Sequence, residues 1–235
     1  MITSPKQEAI IAAVNRFISV EIKKEKSFSF QSDYGTLTDE NLDNPIKELR
    51  IASEAIKIAY EYLDYLNVDA QKLSINVKSD LLIDGRKIGL GSSGVIMLAL
   101  ISSILLEHDV KVSNLKKFKL AILCQERLGL LGSGGDLAAA SYTGLVYYRS
   151  YDFDWFAVQD KSFDLLEIKW PGLIIEQIAL DSKQELLVAW TKTENDTNEY
   201  LKIFNHKKLE DGKTYEKFTK KASSYVKMFL EGNVF

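Results

Sequence analysis

A loop of glycine and serine near the middle of the chain has residue types suited to binding an anion. Residues 89–94 read Gly-Leu-Gly-Ser-Ser-Gly, and the apolar run 95–101 follows without a break. Glycines let a backbone approach a ligand closely, and the first turn of a helix offers unpaired N–H groups at a positive dipole end. The pattern therefore predicts a phosphate site at a helix start, most naturally for a nucleotide. Ser92 or Ser93 could cap this helix, and either hydroxyl could reach a metal ion.

Other interpretations of this loop are weighed against a phosphate site. One is a capped core helix with a flexible entry. A Walker A loop is excluded, because it requires Lys after its last glycine and Gly94 is followed by Val95. The loop matches G-x-G-x-x-G, but a dinucleotide-binding turn follows its strand directly. Here a polar stretch separates the strand predicted at 73–77 from Gly89, which disfavours an NAD-binding domain.

A second glycine-rich motif, Gly132-Ser133-Gly134-Gly135-Asp136, leads into a short Ala-rich segment. Asp136 follows two glycines at a predicted helix start. An acidic residue there is either a simple N-cap or a functional carboxylate, and the residues alone favour neither. A carboxylate would help a hydroxyl acceptor to lose its proton.

Taken in order, several motifs resemble the GHMP small-molecule kinases, and among these the phosphomevalonate kinase branch. They are the loop at 89–94, the motif at 132–140, and the segments 147–152, 170–173 and 188–191. The resemblance extends from about residue 9 to about residue 191. Several ordered motifs are far more specific than one glycine loop. The resemblance implies the family's α+β fold, a mixed sheet with helices packed on it.

The resemblance also implies a reaction and a set of site residues. The reaction is phosphorylation of phosphomevalonate by ATP with Mg²⁺, giving diphosphomevalonate on the mevalonate route to isoprenoids. ATP phosphates would be held by Gly89, Leu90, Gly91, Ser92, Ser93 and Gly94, with Ser93 also a Mg²⁺ ligand. The catalytic residues would be Asp136 and Lys87, and the substrate-binding residues would be Ser133, Gly134 and Thr197. The alternative for Lys87 is that it only faces solvent, as most lysines in such loops do. Thr197 is named because it is the nearest hydroxyl to the position where the family has a segment rich in Ala, Ser and Thr.

Two family motifs are missing from this sequence. The early Lys-containing motif is replaced by residues 1–8, and no late glycine-rich loop follows Trp190. The sequence therefore predicts an N-terminal ATP-binding domain at 1–191 and the helical start of a C-terminal domain at 192–235. We expect little turnover from this chain alone. A non-catalytic nucleotide-binding remnant or half of a split enzyme is the alternative, with a homodimer or partner chain covering the missing lobe.

Composition narrows the class of partner. The 235 residues are 46% hydrophobic and carry a net charge of −3, so no basic surplus exists for nucleic acid. The longest apolar run, 95–101, is too short to span a bilayer. Neither a signal peptide nor a disulfide is predicted, so we expect a cytoplasmic protein. Cys124, the only cysteine, lies among apolar residues and is expected to be a buried, inert thiol.

Hydrophobic periodicity predicts the elements that would position these motifs. Extended structure is predicted over 9–22, around 28–30, over 72–78, over 144–148 and over 185–191. Helices are predicted from Asn44-Pro45 onward and over 93–107, 114–128, 136–142, 196–204 and 214–230. The helix at 93–107 is apolar nearly all round, which indicates burial between layers.

Overall fold

Strands and helices are mixed along the chain in the α+β order that was expected. The computed structural model describes residues 7–83, 86–87, 89–130, 132–179, 187 and 212–232. The strands are β1 (Glu8–Ala12), β2 (Ile18–Lys24), β3 (Ser29–Ser32), β4 (Gly35–Thr38), β5 (Leu73–Ser79), β6 (Leu82–Ile83), β7 (Arg86–Lys87), β8 (Leu145–Arg149) and β9 (Ile174–Ile178). The helices are α1 (Arg50–Tyr65), α2 (Ser92–Glu107), α3 (Asn114–Arg127), α4 (Gly135–Tyr142), α5 (Phe153–Ala157) and α6 (Gly212–Leu230).

Two sheets and a hairpin contain these strands. The first sheet is antiparallel in the order β1-β8-β9, so β8 is its central strand. The second has the order β2-β5-β3-β4 and is mixed, because β3 runs parallel to β5 while the other pairs are antiparallel. Strands β6 and β7 form a separate hairpin just before residues 89–94. The α+β class with a mixed sheet is therefore confirmed.

Helix α2 lies at the centre of the packing, as its all-round apolar sequence predicted. It contacts α1, α3, α4 and β2. Several of its side chains are fully buried, among them Met97, Leu100, Ile101, Ile104 and Leu105. Because a helix packed on several sides cannot shift without disrupting the core, the first turn of α2 is held at a fixed place in the fold.

The extended segment expected over 9–22 is two strands in different sheets. Strand β1 pairs with β8, whereas β2 pairs with β5. Between them the Ala13 N–H donates to the Gly144 carbonyl, and a tight turn links the Arg16 N–H to the Val14 carbonyl. The chain thus crosses from one sheet to the other within five residues, which a continuous apolar pattern does not indicate.

Helix boundaries and faces depart from expectation at a few positions. Helix α1 begins at Arg50 instead of near Pro45, because a 3₁₀ turn at Lys47–Leu49 first carries Leu49 into the core. The spacing of apolar residues predicts that Leu66 and Leu115 lie on buried helix faces, but they are 38% and 36% exposed. Both lie at the end of a helix, where the chain leaves the packed surface.

Helix α6 packs against β1, and the Gln7 side-chain amide donates to the Tyr215 hydroxyl over 2.9 Å. The spacing of residues 218, 222, 225 and 229 predicts an apolar stripe along one side of this helix. Phe218 and Tyr225 are exposed, whereas residues 222 and 229 are partly buried. The contact surface is thus narrower than the stripe. The predicted strand at 185–191, the predicted helix at 196–204 and the predicted domain boundary at 191/192 fall outside the described residues, apart from residue 187. Among the helices that the structure describes, none is long and apolar enough to cross a membrane.

Candidate functional site

The first turn of α2 begins without a side-chain cap. Its N-cap residue is Gly91, in the left-handed conformation at φ 72° and ψ 31°, and the helix starts at Ser92. The expected capping by Ser92 or Ser93 is therefore wrong, because both residues already lie inside the helix. The Gly91 carbonyl accepts from the N–H groups of Gly94 and Val95. The N–H groups of Ser92 and Ser93 belong to the first turn, where no intrahelical acceptor exists, so they can face an anion.

The loop before this turn is built on glycine. Gly89 is also left-handed, at φ 81°, and its missing side chain faces open space. Leu90 and Ser92 are half-buried, whereas Ser93 is exposed. Lys87 lies in β7, immediately before the loop, and its side chain is outside the described part of the structure. The backbone thus places Lys87 at the base of the loop.

Helix α4 starts in the same way. Its N-cap is Gly134, left-handed at φ 74°, and no side chain caps it. Asp136 is the second residue of the helix, so the interpretation of Asp136 as an N-cap is wrong. The Asp136 carboxylate accepts from the N–H groups of Asp136 itself and of Leu137, in the first turn of its own helix.

The two helix starts meet through Asp136. A Cβ atom placed on Gly94 would lie 2.7 Å from Oδ2 of Asp136, and one on Gly91 would lie 2.8 Å from its Cβ. Only hydrogen fits at these two loop positions, so the Asp136 side chain lies directly against the backbone of the loop. The loop and the carboxylate, which sequence placed 42 or more residues apart, therefore form one site.

The environment of Asp136 acts on the pKa of its carboxyl in two directions. The residue keeps solvent contact, yet desolvation by the surrounding protein raises the pKa of its carboxyl. The backbone N–H groups of Leu137 and of Asp136 itself act in the opposite direction, since they stabilise the carboxylate. A carboxyl group with a raised pKa beside an exposed helix N-terminus is typical of a functional site.

The other predicted substrate residues have different surroundings. Gly134 is buried, and a Cβ there would lie 2.9 Å from Ile122 Cδ1, so the structure gives it a packing role. Ser133 is half-buried, and its hydroxyl accepts from the Gly135 N–H over 3.4 Å. Its carbonyl accepts from the buried Tyr148 hydroxyl. Thr197 lies outside the described residues.

On the other side of the loop lies an apolar cleft that the sequence analysis missed. Its volume is about 140 Å³, and we call it the β3 cleft. The residues lining it come from β2, β3, β5, the α1 region and the first turns of α2: Ile18, Phe30, Ser32, Asp33, Tyr34, Glu48, Leu49, Ile51, Ala52, Val77, Ser79, Leu81, Ser92, Ser93 and Ile96. Ser92 and Ser93 thus border both the cleft and the free helix end. Local patterns gave no signal for it, because the cleft forms only when β3 pairs with β5.

No group of three or more His, Cys, Asp or Glu suited to a metal occurs in the part of the chain that the structure describes. The side-chain oxygens at the loop include the Ser93 hydroxyl and the Asp136 carboxylate. This set suits Mg²⁺, which takes one or two protein oxygens and completes its shell with phosphate and water. A closed structural metal site would need more protein ligands.

Three residues away from this site are buried in the core. Cys124 is fully buried, and burial raises the pKa of its thiol to about 12, as expected of an inert cysteine. Trp170 is a core residue, 1% exposed, with Nε1 donating to the Leu165 carbonyl. Lys119, which no pattern singled out, is buried in α3 and donates to the carbonyls of Leu166 and Ile168.

No family model matches the chain. The chain is 27% identical over 158 residues to the phosphomevalonate kinase of Streptomyces sp. (strain CL190), which covers 66% of this chain and 42% of that protein. It is 25% identical to the crystal structure of the Lin0012 protein from Listeria innocua, with a TM-score of 0.84 over 97% of this chain and 67% of that one.

A third relative is Streptococcus pneumoniae phosphomevalonate kinase, solved in complex with phosphomevalonate and AMPPNP. The identity is 26% and the TM-score 0.68, over 75% of this chain and 54% of that chain. The chain spans less than half the length of the curated relatives that it matches.

Proposed function

Since the chain has the fold of the N-terminal lobe of the GHMP kinases, and its resemblance to them is confirmed, we propose that it binds ATP and Mg²⁺ and phosphorylates phosphomevalonate. The observation that carries the proposal is the contact of Asp136 with Gly91 and Gly94, beside an uncapped helix start. An anion site and a carboxylate side by side are what phosphoryl transfer requires.

Each part of the nucleotide has a matching part of the site. The N–H groups of Ser92 and Ser93 bind phosphate oxygens at the positive end of α2. The β3 cleft is lined mostly by apolar residues, together with polar ones that include Asp33 and Glu48, which suits a nucleobase. Because Ser92 and Ser93 border both regions, one nucleotide can occupy them together. The acceptor then lies on the opposite side of the loop, next to Asp136 and Ser133.

The chemistry of the acceptor decides the role of Asp136. A phosphate monoester has its second pKa near 6 and is mostly a dianion at neutral pH. An oxygen of this dianion forms the new bond to the γ-phosphorus while the bond from phosphorus to the ADP oxygen breaks, and no proton has to be removed. Asp136 therefore orients the acceptor or holds the metal, and a base is not needed. Mg²⁺ would supply charge neutralisation on the transferred group, with Ser93 and Asp136 as the residues that hold it.

Binding of AMPPNP, with and without Mg²⁺, tests the phosphate site. Titration calorimetry on the wild type and on Ser93→Ala should show that the variant loses about tenfold more affinity for the Mg²⁺ complex than for free AMPPNP. Ser224→Ala is the matched control, because Ser224 is an exposed serine on α6 whose hydroxyl donates to the Lys221 carbonyl of the same helix. Equal losses in both forms would remove Ser93 from the metal site. Tight NAD binding without AMPPNP binding would overturn the proposal.

Turnover is measured separately, as ADP release that depends on phosphomevalonate. Robust release from residues 1–235 supports the full reaction. Binding of AMPPNP and phosphomevalonate without release favours the non-catalytic alternative, in which another chain or segment completes the site. Mevalonate in place of phosphomevalonate is the control substrate, since it lacks the phosphate that should be the acceptor.

A further inference from the structure

Tyr148 connects the central strand of the first sheet to the loop that carries Asp136. It lies in β8, where it pairs with Ala9 of β1 on one side and Ile175 of β9 on the other. The side chain is fully buried, and its ring contacts Phe118 of α3 edge to face at 6.1 Å. A residue held by two strands and a helix is a rigid point of attachment.

The Tyr148 hydroxyl donates to the carbonyl of Ser133 over 2.5 Å. This bond crosses from the sheet to the glycine-rich loop and fixes the peptide between Ser133 and Gly134. The loop is also confined laterally, because a Cβ on Gly134 would lie 3.0 Å from the same hydroxyl and 2.9 Å from Ile122 Cδ1. Position and orientation of this peptide are therefore set by groups outside the loop.

Two residues further along the chain, Asp136 lies against Gly91 and Gly94. Because only Gly135 separates this peptide from Asp136, and α4 begins at Gly135, a shift of the Ser133–Gly134 peptide also moves Asp136. The contacts form an unbroken series from Tyr148 through Ser133 and Asp136 to the phosphate loop. The substitution Tyr148→Phe removes the hydroxyl bond from this series while the aromatic ring stays in place.

We propose that Tyr148 is a positioning residue, whose hydroxyl holds the Ser133 carbonyl so that the Asp136 carboxylate stays against the phosphate loop. The consequence for catalysis rests on the proposed function, because placement of Asp136 matters to the rate only if the site transfers a phosphoryl group. The placement itself can be measured without any turnover.

The experiment compares Tyr148→Phe with Tyr147→Phe. Tyr147 is the next residue of β8, and its hydroxyl donates to Glu8 Oε1 over 3.0 Å, away from the glycine-rich loop. Each variant loses one tyrosine hydroxyl and keeps its ring. In Tyr148→Phe we expect amide exchange over 133–137 to rise about tenfold, as for one lost hydrogen bond. The NMR chemical shifts of the Gly91 and Gly94 amides should also change, because the Asp136 side chain no longer lies against these two glycines. Tyr147→Phe should leave both unchanged.

Kinetics give a further readout where the wild type turns over. Tyr148→Phe should lower kcat on the order of 10²-fold with little change in KM for ATP, because misplacement affects the reaction more than nucleotide binding. Phe118→Leu separates packing from the hydroxyl bond: we expect a lower Tm but Gly91 and Gly94 amide shifts that match the wild type. Unchanged amide exchange and unchanged Gly91 and Gly94 shifts in Tyr148→Phe, or equal changes in Tyr147→Phe, overturn the proposal. A wild type that neither binds nor turns over contradicts the proposed function instead, and amide exchange and the two glycine shifts still decide the role of Tyr148.

Discussion

Asp136 occupies the space that any side chain at position 94 would need, since Oδ2 would lie 2.7 Å from a Cβ on Gly94. The backbone of Gly94 is not left-handed, so the glycine is explained by this contact together with that of Leu137 Cδ2, which would lie 2.9 Å from the same Cβ. We expect Gly94→Ala to push Asp136 and Leu137 away from the loop and to destabilise the fold by about 1–3 kcal/mol, as overpacking does. Urea unfolding and the NMR signal of Asp136 measure the two effects.

Gly212→Ala is the matched control for that substitution. Gly212 also has ordinary backbone angles, and a Cβ there meets nothing within 4 Å. Its replacement should leave stability unchanged or raise it slightly, because alanine favours the helix. A Gly94→Ala variant as stable as this control, with an unmoved Asp136 signal, would contradict the close packing.

A second pair of glycines separates backbone strain from steric contact. Gly134 and Gly144 are both left-handed, at φ 74° and 66°. Alanine at either position should cost about 1–2 kcal/mol for the backbone. Only Gly134→Ala also drives a methyl group against Ile122, Tyr148 and Phe118, so it should lose at least about 1 kcal/mol more. Equal free energies of unfolding for the two variants would show that the core yields around residue 134.

The thiol of Cys124 should be unreactive in the folded protein. Burial raises its pKa to about 12, so the thiolate is scarce near neutral pH. A disulfide reagent at pH 8 should modify the native chain no faster than it unfolds, whereas one thiol per chain reacts at once in guanidinium. Rapid modification of native protein would mean that the α3 core opens locally.

The same thiol gives a pH dependence of known sign. The thiol of an unfolded cysteine has a pKa of about 8.5, whereas that of Cys124 in the folded protein is about 12. Between these two pH values the folded state holds a proton that the unfolded state has lost. Stability therefore falls as pH rises through this window, by up to about 1.4 kcal/mol per unit for one proton. Cys124→Ala should lack this part of the decline, and chemical unfolding at pH 8, 9 and 10 measures the difference. Parallel curves for the two proteins would contradict it.

Lys119→Met should destabilise the protein, although methionine is the more apolar side chain. The ammonium donates to the carbonyl of Leu166 in a buried bond and to that of Ile168 in a partly buried one, and its removal leaves both acceptors without this donor. We expect a loss of about 1–3 kcal/mol in the free energy of unfolding. Lys111→Met, at an exposed position, is the control and should be nearly neutral. A Lys119→Met protein as stable as the wild type would mean that relief of lysine desolvation offsets the lost bonds.

Much of the helical fold could be predicted because the helices carry strong local signals. The ends of α2, α3 and α4 agree with prediction to within a residue or two. The family resemblance implied that Asp136 and the loop at 89–94 belong to one active site. Helix caps were predicted less well. Propensity favours Ser or Asp at an N-cap, yet Gly91 and Gly134 hold those positions. The reason is tertiary: a side chain at position 91 would collide with Asp136, and one at position 134 would collide with core residues.

Features that depend on distant pairing could not be read from the chain. Strand β3 pairs with β5 some 45 residues later, and the β3 cleft exists only after that pairing. Lys119 gave no signal because its partners are backbone carbonyls, which every residue carries. The Tyr148 hydroxyl bond is hidden for the same reason, since its acceptor is the Ser133 carbonyl.

The pairing of β1 with β8 also bears on how the chain folds as it is made. Glu8 at the start of β1 pairs with Arg149, whereas the second sheet is complete once Ser79 has paired with Ile18. At about 5–20 residues per second, the ribosome needs roughly 7–30 s to reach the partner of β1. During that interval the second sheet and α1 can form, while the Ile10 and Ile11 side chains and the backbone groups of β1 have no partner strand. The nascent chain therefore passes through a stage in which its N-terminal strand needs protection from other chains, and substitutions that slow completion of β8 should lower yield before they lower native stability.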